Sequence, residues 1–583
     1  MLNQYQGGSY LFGATDPKDV LTSEDLSDEH RMIGETVTRF VAEKILPRMD
    51  EIEEKKAGLM RELIAESAEL GLLGADVAEE YGGIQSGIVC STVIAEKIGC
   101  SGSFSLGSGV CVGIGALPIV YFGNKDQKSR YLPDIVSAKK IPAYALTESD
   151  AGSDAMSIKT KAVLSEDGKH FILSGSKCFI SNAGIADLFI VYAKIDGEQF
   201  SAFIVDVTES VSTGPEEHKM GIRGSSTCMV YFDKVKVPVE NLLHLPGKGH
   251  HVAFNILNFG RHHISGNALG VMKYALDLAA AYANERKQFK TPIAKFGMIK
   301  EKLAEMAASI YAAESVVYRN GGMLEARVES LNLSGDNAGQ ILAKGIEDYA
   351  IECSLEKVFV TEVEAYVVDE AVQIHGGYGF IADYPVERLY RDARVHRIFE
   401  GTNEINRTLV VTTLLRRADA DVLPLPKSIE AVMARVKSGD MPARHDEGDL
   451  VQGFKDVFCY TLGLAHQRYG EALTKEQETL GCLADIAIYA YAGESVWVRT
   501  QKAVAAGGQN LSHKQNMTTL FIHTAAEQVA LAAREVVASL ASGEEMVAMF
   551  AGLANLLRYE RINIFVLRRN IAAVISQAGK YVC

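Results

Sequence analysis

The sequence predicts a mainly α-helical protein with a central β domain, and three changes of texture predict it. Apolar residues recur at helical spacing from His30 to about Lys140, as in Met32, Ile33, Val37, Phe40 and Val41, and again from about Lys248 to Arg417. Between them lie alternating and β-branched runs: FILSGSKCFISN (171–182), DLFIVYAKI (187–195), SAFIVDV (201–207) and TCMVYFDKVKV (227–237). Beyond about residue 453, Ala-rich periodic segments such as FIHTAAEQVALAAREVVASLA (521–541) make a second helical region.

Taken in order, residues 1–28 form a leader rich in Gly, Ser and Asp that ends in two cap signals, Thr22-Ser23-Glu24-Asp25 and Ser27-Asp28-Glu29. Residues 29–142 read as an N-terminal helical domain, broken at Pro47, Gly82-Gly83, the Gly-rich 99–115 stretch, Gly123 and Pro133. Residues 143–243 read as the β domain and 244–417 as an antiparallel helix bundle. Three prolines and several charges mark 418–453 as a linker before the extra helical domain, 454–583. A length of 583 residues is too long for one core and fits three or four units at roughly 150 residues each.

Composition narrows the class. With 48% hydrophobic and 23% charged residues the chain is ordinary for a globular protein, and disorder as the main state is excluded. A net charge of −15 disfavours a nucleic-acid partner, which needs clustered cations. The nine cysteines include no C-x-x-C pair and no metal spacing, so reduced, mostly buried thiols and no bound metal are expected. No window carries roughly 18 consecutive apolar residues, and the N-terminus lacks the basic and apolar segments of a secretory signal. A cytoplasmic location is expected, or the mitochondrial matrix if a transit peptide has been removed.

The chemistry gathers in His375–Arg407, where Glu400 is followed at once by Gly401, Thr402 and Asn403. A carboxylate at such a helix-to-loop junction can point into a cleft and serve as a general base. In Gln373-Ile374-His375-Gly376-Gly377 the glycines let backbone come close to a ribose or phosphate, though a lone Gly-Gly is a weak signal. His375 and His396 are expected to be structural. Ala145–Asp154 offers hydroxyls and open N–H groups for a heterocycle edge or pyrophosphate, but taken alone the stretch reads first as a turn-rich domain junction. Ser176–Asn182 ends a strand with an aromatic plane two residues from a hydroxyl, a pattern also shown by half-buried strands. Arg286, after a long helix, suits pyrophosphate or a solvated helix end.

Together and in this order, ALTESDAGSDA, SKCFISN, KMGIRGSST, NFGRHHISGNALG, ERKQF, QIHGGYGF and RDARVHRIFEGTNEINR resemble the acyl-CoA dehydrogenase family over roughly residues 30–415. The added helical domain makes the chain most similar to its very-long-chain branch. The resemblance implies N-terminal helices, a middle β-barrel and a four-helix C-terminal bundle, with FAD held between the last two across a subunit interface. It implies that Glu400 removes the α-proton of an acyl-CoA, whose thioester carbonyl is polarised by the Glu400 N–H and a flavin ribityl hydroxyl, while β-hydride passes to flavin N5. Tyr144, Leu146, Thr147, Gly152 and Ser153, with Phe179 and Ser181, would contact FAD, and Ser153 also the CoA arm. Asn258, Arg261, Phe399 and Gly401 would contact substrate. Arg286, Gln288, Phe289, Gln373, Gly376 and Gly377 would bind the FAD of the neighbouring subunit, with Thr402 and Glu404 nearer its ADP end. The family usually has Trp at the position of Phe179 and Pro at that of Ser149, which implies weaker flavin shielding with FAD retained.

The implied reaction is the first step of fatty acid β-oxidation, with electrons passing to electron-transfer flavoprotein. An oxygen-using acyl-CoA oxidase and a non-catalytic assembly protein on the same fold are the alternatives. A homodimer is expected ahead of a tetramer, because in the long-chain branch the extra domain fills the space of a second dimer. Gly113, Gly115 and Ala116 fall where a helix is expected to line the acyl tail and would leave room for a long chain, though packing also explains glycine there. In KSIEAVMARVKSG (427–439), Ile429, Val432, Met433 and Val436 share one helical face beside basic residues. That segment either contacts an anionic membrane peripherally or docks on the protein's own surface.

Overall fold

Ser27 starts the first helix, α1 (Asp28–Phe40), by accepting from the His30 N–H while His30 accepts from the Ser27 N–H. The computed structural model describes residues 6–333, 335, 337–442 and 444–583. They fall into two units: Ser27–Gly270 with Leu324–Glu347, and the chain up to Leu26 with Val271–Met323 and Asp348–Cys583.

In the first unit α1 is followed by α2 (Met49–Glu53), α3 (Leu59–Glu69), α4 (Gly87–Ile98), α5 (Ser103–Val112), α6 (Leu117–Phe122) and α7 (Lys125–Val136). Val37, Phe40, Leu63, Ile64, Ile94 and Phe104 from these helices bury into one core. Residues 103–122 are long and apolar enough to cross a membrane, against the expectation that no such stretch exists. The stretch is 67% buried and breaks between α5 and α6, as a core segment does. Gly113 and Gly115 lie in that break and not in a helix. A Cβ on Gly113 would meet the Gly109 carbonyl at 2.8 Å, and one on Gly115 would meet the Val110 carbonyl at 2.7 Å and Pro142 at 2.8 Å. The turn itself requires both glycines, so they say nothing about acyl length.

The β domain holds β1 (Pro142–Ala145), β2 (Lys161–Leu164), β3 (His170–Ser181), β4 (Leu188–Ile195), β5 (Gln199–Asp206), β6 (Val211–Glu216), β7 (Thr227–Pro238) and β8 (Leu242–Leu243). They form one eight-stranded sheet in the order β6-β7-β3-β2-β4-β5-β8, with β1 parallel to β4. β4 is apolar almost throughout because both of its faces are covered. Phe189, Val191 and Ala193 point into the sheet's core with Phe171, Phe203 and Val230. Helix α8 (Gly249–Glu285) then runs against α4, and glycine sets how close they come. A Cβ on Gly270 would lie 1.8 Å from the Glu96 carbonyl, and one on Gly99 would lie 2.1 Å from the Asn267 carbonyl.

The chain continues through the short ladder β9 (Lys287–Gln288) and β10 (Thr291–Pro292), α9 (Gly297–Glu329) and α10 (Ala338–Glu347). The second unit adds α11 (Ala350–His375), α12 (Pro385–Ala393) and α13 (Asn403–Asp419). It is completed by α14 (Leu425–Ser438), α15 (Glu447–Tyr469), α16 (Gln477–Ala505), α17 (Leu511–Leu540), α18 (Gly543–Leu556) and α19 (Ile564–Ala578).

Two segments are more firmly held than their composition suggests. The leader is anchored by charge. Glu24 takes Arg499 at 2.9 Å and Lys514 at 2.6 Å, and Arg499, 1% exposed, also pairs with Glu314 at 2.8 Å and lies over the Tyr311 ring. Gly8 N–H donates to Glu352 at 2.6 Å, and Gly7 has no room for a Cβ, which would meet the Asp348 carbonyl. The amphipathic stretch of 427–439 lies in α14, and its apolar face is already occupied, as the alternative of docking on the protein's own surface expects. Ile429 and Met433 pack on Gly463, Val436 packs on Gly552, and Arg435 pairs with Asp456 at 2.7 Å. The exposed apolar stripe that a bilayer would require is therefore covered by the protein's own helices.

Candidate active site

Two sets of predicted residues take shape, one in each unit. In the first, β1 leads into the loop at Leu146–Ser157, which closes around a buried carboxylate. Glu148 accepts from the Lys159 N–H at 2.6 Å, the Thr160 N–H at 3.0 Å and hydroxyl at 2.5 Å, and the Lys177 amine at 2.8 Å. Lys177, fully buried on β3, also donates to the Leu146 carbonyl at 3.0 Å, and the Cys178 N–H donates to the Thr147 carbonyl at 2.9 Å. Burial brings the Lys177 amine down to about 8 against the pull of Glu148. Burial would raise Glu148, but Lys177 and Thr160 outweigh it and hold the carboxyl below its ordinary value. This pair, which the sequence reading did not single out, ties the loop to β3. Tyr144 and Leu146 are buried, Thr147 is half-buried, and Gly152 and Ser153 are exposed. A Cβ on Gly152 would meet nothing within 4 Å, so that glycine is open to a ligand and is not a packing residue.

On β3 the pairing to β7 slips between Lys177 and Ile180. Phe179 sits at this bulge with φ +57° and is 66% exposed, while Cys178 and Ile180 on either side are buried. A bulky residue in the left-handed region is a strained arrangement of the kind found at functional sites. Here it turns an aromatic plane outward. Ser181 is half-buried at the strand's end, opposite Thr227. On α8 the buried Arg261 donates to the Asn258 side chain at 2.7 Å, so the two predicted substrate positions form one hydrogen-bonded pair. Neighbouring His262 bonds Thr92 at 2.8 Å, and burial lowers His263 to about 4.

In the second unit α8 ends at Glu285, and Arg286 lies over the Tyr378 ring at 5.4 Å. Gln288 pairs in the β9–β10 ladder, and Phe289 projects with φ +50° and 91% exposure. Gln373 is exposed at the end of α11, and a Cβ on Gly376 or Gly377 would meet nothing within 4 Å. Gly379 differs, since its Cβ would meet the Val372 carbonyl at 2.5 Å. The Gly-Gly is therefore ligand-accessible, while the third glycine serves packing. His375 stacks on Tyr282 at 4.3 Å and bonds the Ala371 carbonyl, as expected of a structural histidine.

Glu400 lies in the turn between the helical stretch Arg394–Arg397 and α13, half-buried, with φ +54°, followed by Gly401 at φ +82°. Thr402 caps α13 by accepting from the Ile405 N–H at 3.3 Å. Glu404, exposed in the first turn of that helix, is held below its ordinary value by backbone and Thr402 hydrogen bonds. Phe399 stacks on His396 at 5.5 Å. Sequence reasoning missed the residues that hold this turn, Lys357 and Glu364. No local signal set them apart, because α11 also carries Glu352, Glu356, Glu362, Asp369 and Glu370. The second unit also has a cavity of about 700 Å³ lined by Phe359, Glu362, Arg407, Asp485, Tyr489 and Phe521 among others, none of them named for cofactor or substrate.

The first unit thus carries an outward aromatic on a strained bulge and the open Gly152, and the second carries the open Gly376 and Gly377 and a carboxylate on a strained turn, features of an enzyme that binds a cofactor. Family models confirm the class. The acyl-CoA dehydrogenase N-terminal domain matches residues 27–139, the middle domain 143–235, the C-terminal domain 247–415 and a further C-terminal domain 453–555. A probable acyl-CoA dehydrogenase of Bacillus subtilis (strain 168) is 46% identical over 99% of this chain and 98% of its own. The mitochondrial very long-chain specific acyl-CoA dehydrogenase of Bos taurus is 33% identical over 91% of this chain and 84% of its own. The crystal structure of an acyl-CoA dehydrogenase from Bacillus anthracis, complexed with FAD, superimposes with a TM-score of 0.97 at 46% identity over 99% of this chain and 100% of that one. The chain belongs to the acyl-CoA dehydrogenase family.

Proposed function

We propose that the protein oxidises long-chain acyl-CoA thioesters to trans-2-enoyl-CoA with FAD as cofactor, Glu400 acting as the base. The observation that carries this reading is the Glu400 turn, which presents a carboxylate on strained backbone outside any helix. An α-proton next to a thioester is far too weakly acidic for a free carboxylate, so the carbonyl must be polarised as the proton leaves. The Glu400 N–H supplies one donor for that, and positioning supplies the remainder of the rate. Bound FAD supplies the hydride acceptor for the β-carbon. The residues present suit it: Phe179 offers a face to a flat ring, Ser181 and Thr147 offer hydroxyls, and Arg286 suits the pyrophosphate of the neighbouring subunit's FAD. The buried Asn258–Arg261 pair serves the substrate.

A long acyl chain is supported by likeness to very-long-chain relatives through the extra helical domain. Electron-transfer flavoprotein is the proposed acceptor, a homodimer the proposed assembly and the cytoplasm the proposed location. The test is anaerobic mixing of purified holoenzyme with acyl-CoAs from short to very long, following bleaching of the flavin band. Fast bleaching by long chains with slow reoxidation in air is expected, whereas rapid reoxidation would point to an oxidase. Glu400→Gln is expected to keep FAD and substrate binding and lose nearly all turnover. Near-normal turnover in that variant would refute the assignment of the base.

A further inference from the structure

Helix α11 places Lys357, Thr361 and Glu364 at i, i+4 and i+7, on one face, and all three are fully buried. Burying an ammonium and a carboxylate is costly unless each finds partners. One short segment supplies partners to all three. The Lys357 amine donates to the Gly401 carbonyl at 2.9 Å and to the Asn403 side-chain oxygen at 2.8 Å. Thr361 accepts from the Asn403 side-chain amide at 3.2 Å. The Glu364 carboxylate lies 2.8 Å from His396 Nδ1, and the His396 ring stacks on Phe399 with 24° between planes. These contacts bracket Glu400, with Phe399 held on one side and Gly401 on the other. The Asn406 amide adds a second donor to the Gly401 carbonyl at 2.8 Å. Two consecutive left-handed residues, Glu400 and Gly401, need such an external hold to keep one conformation.

We propose that Lys357 and Glu364 are positioning residues that fix the Glu400 turn in the geometry needed to remove the substrate's α-proton. The inference rests on the reading of Glu400 as the base. It extends that reading by giving the buried charges of α11 a role in rate: a misplacement of about 1 Å in a reacting group costs on the order of a hundredfold. Because Asn406 still holds the Gly401 carbonyl, loss of Lys357 is expected to loosen the turn without unfolding it.

The test uses FAD-loaded wild type, Lys357→Met, Glu364→Gln and Glu400→Gln with a long-chain acyl-CoA whose β-carbon is replaced by sulfur. That probe can lose its α-proton but has no β-hydrogen to give up. The deprotonated thioester beside oxidised flavin is read by its long-wavelength absorbance, so the signal reports proton removal alone. FAD content, thermal midpoint and probe affinity are measured alongside. Lys357→Met is expected to keep FAD content and to bind the probe within about threefold, while the band forms about 10- to 100-fold more slowly. Glu364→Gln is expected to slow it by about three- to tenfold. Wild-type rates in both variants, with Glu400→Gln silent, would overturn the positioning role and leave the base assignment standing. Affinity falling in step with rate would also overturn it, since that would make the effect one of binding. A wild-type rate in Glu400→Gln would instead refute the base. Should Lys357→Met fail to fold, the nearly isosteric Glu364→Gln decides: slowed formation supports the proposal and an unchanged rate refutes it.

Discussion

Replacing Glu24 by Gln should release the leader from the helical domain on which it lies. Burial alone would raise the Glu24 carboxyl, but Arg499 and Lys514 overcome it and bring the group from its ordinary value near 4.5 down to about 2. At 1.36 kcal/mol for each pH unit that difference is worth about 3 kcal/mol, and about 2 kcal/mol once the side chain's 32% exposure is allowed for. The sign follows from linkage. A depressed carboxyl binds protons more readily unfolded than folded, so its contribution is whole above about pH 4.5 and is lost as pH falls towards 2. Hydrogen exchange of backbone amides in residues 6–26 is the assay, because local opening in a chain of this size is not captured by one global transition. At neutral pH, Glu24→Gln should exchange about 30-fold faster than wild type in this segment, the equivalent of about 2 kcal/mol. After correction for intrinsic rates, wild-type protection should fall with acid over the stated window while the variant's barely changes. Equal protection of the two proteins at neutral pH would refute the view that these ion pairs hold the leader.

Three further outcomes follow from the same geometry. Gly377→Val should lower FAD occupancy severalfold with little loss of apoprotein thermal stability, whereas Gly379→Ala should lower stability, because only the second Cβ meets backbone; the pair is checked by flavin absorbance and thermal melts. Phe179→Ala should weaken FAD retention and Phe179→Trp should keep it, measured by dialysis and flavin fluorescence, since an exposed aromatic face is what the bulge presents. Ile429→Asp should destabilise the extra helical domain by about 2–4 kcal/mol, read by urea unfolding, because it places a charge in the contact of α14 with Gly463.

Much of the site could be read from the sequence, because a turn is a local event. Glu400-Gly401-Thr402-Asn403 and Gly376-Gly377 announce backbone departures by residue type alone, and each is found at a helix boundary with positive φ or open space beside it. Other features could not be read in this way. In isolation Gly379 looks like Gly377, and whether a Cβ would meet empty space or the Val372 carbonyl depends on how the turn folds back. Gly113 and Gly115 left packing and tail space undecided for the same reason. The amphipathic pattern of 427–439 was real, but a pattern shows that a face is apolar and does not show what covers it.

Sequence by itself determined the order of helical and sheet regions, because hydrophobic period is a property of neighbouring residues, and it singled out Glu400, because an acid before Gly and a helix cap is a local arrangement. Only the tertiary structure decided what holds that acid. Lys357 and Glu364 stand 43 and 36 residues before it, and their placement around Glu400 comes from α11 lying along the turn, a long-range contact that no local spacing encodes.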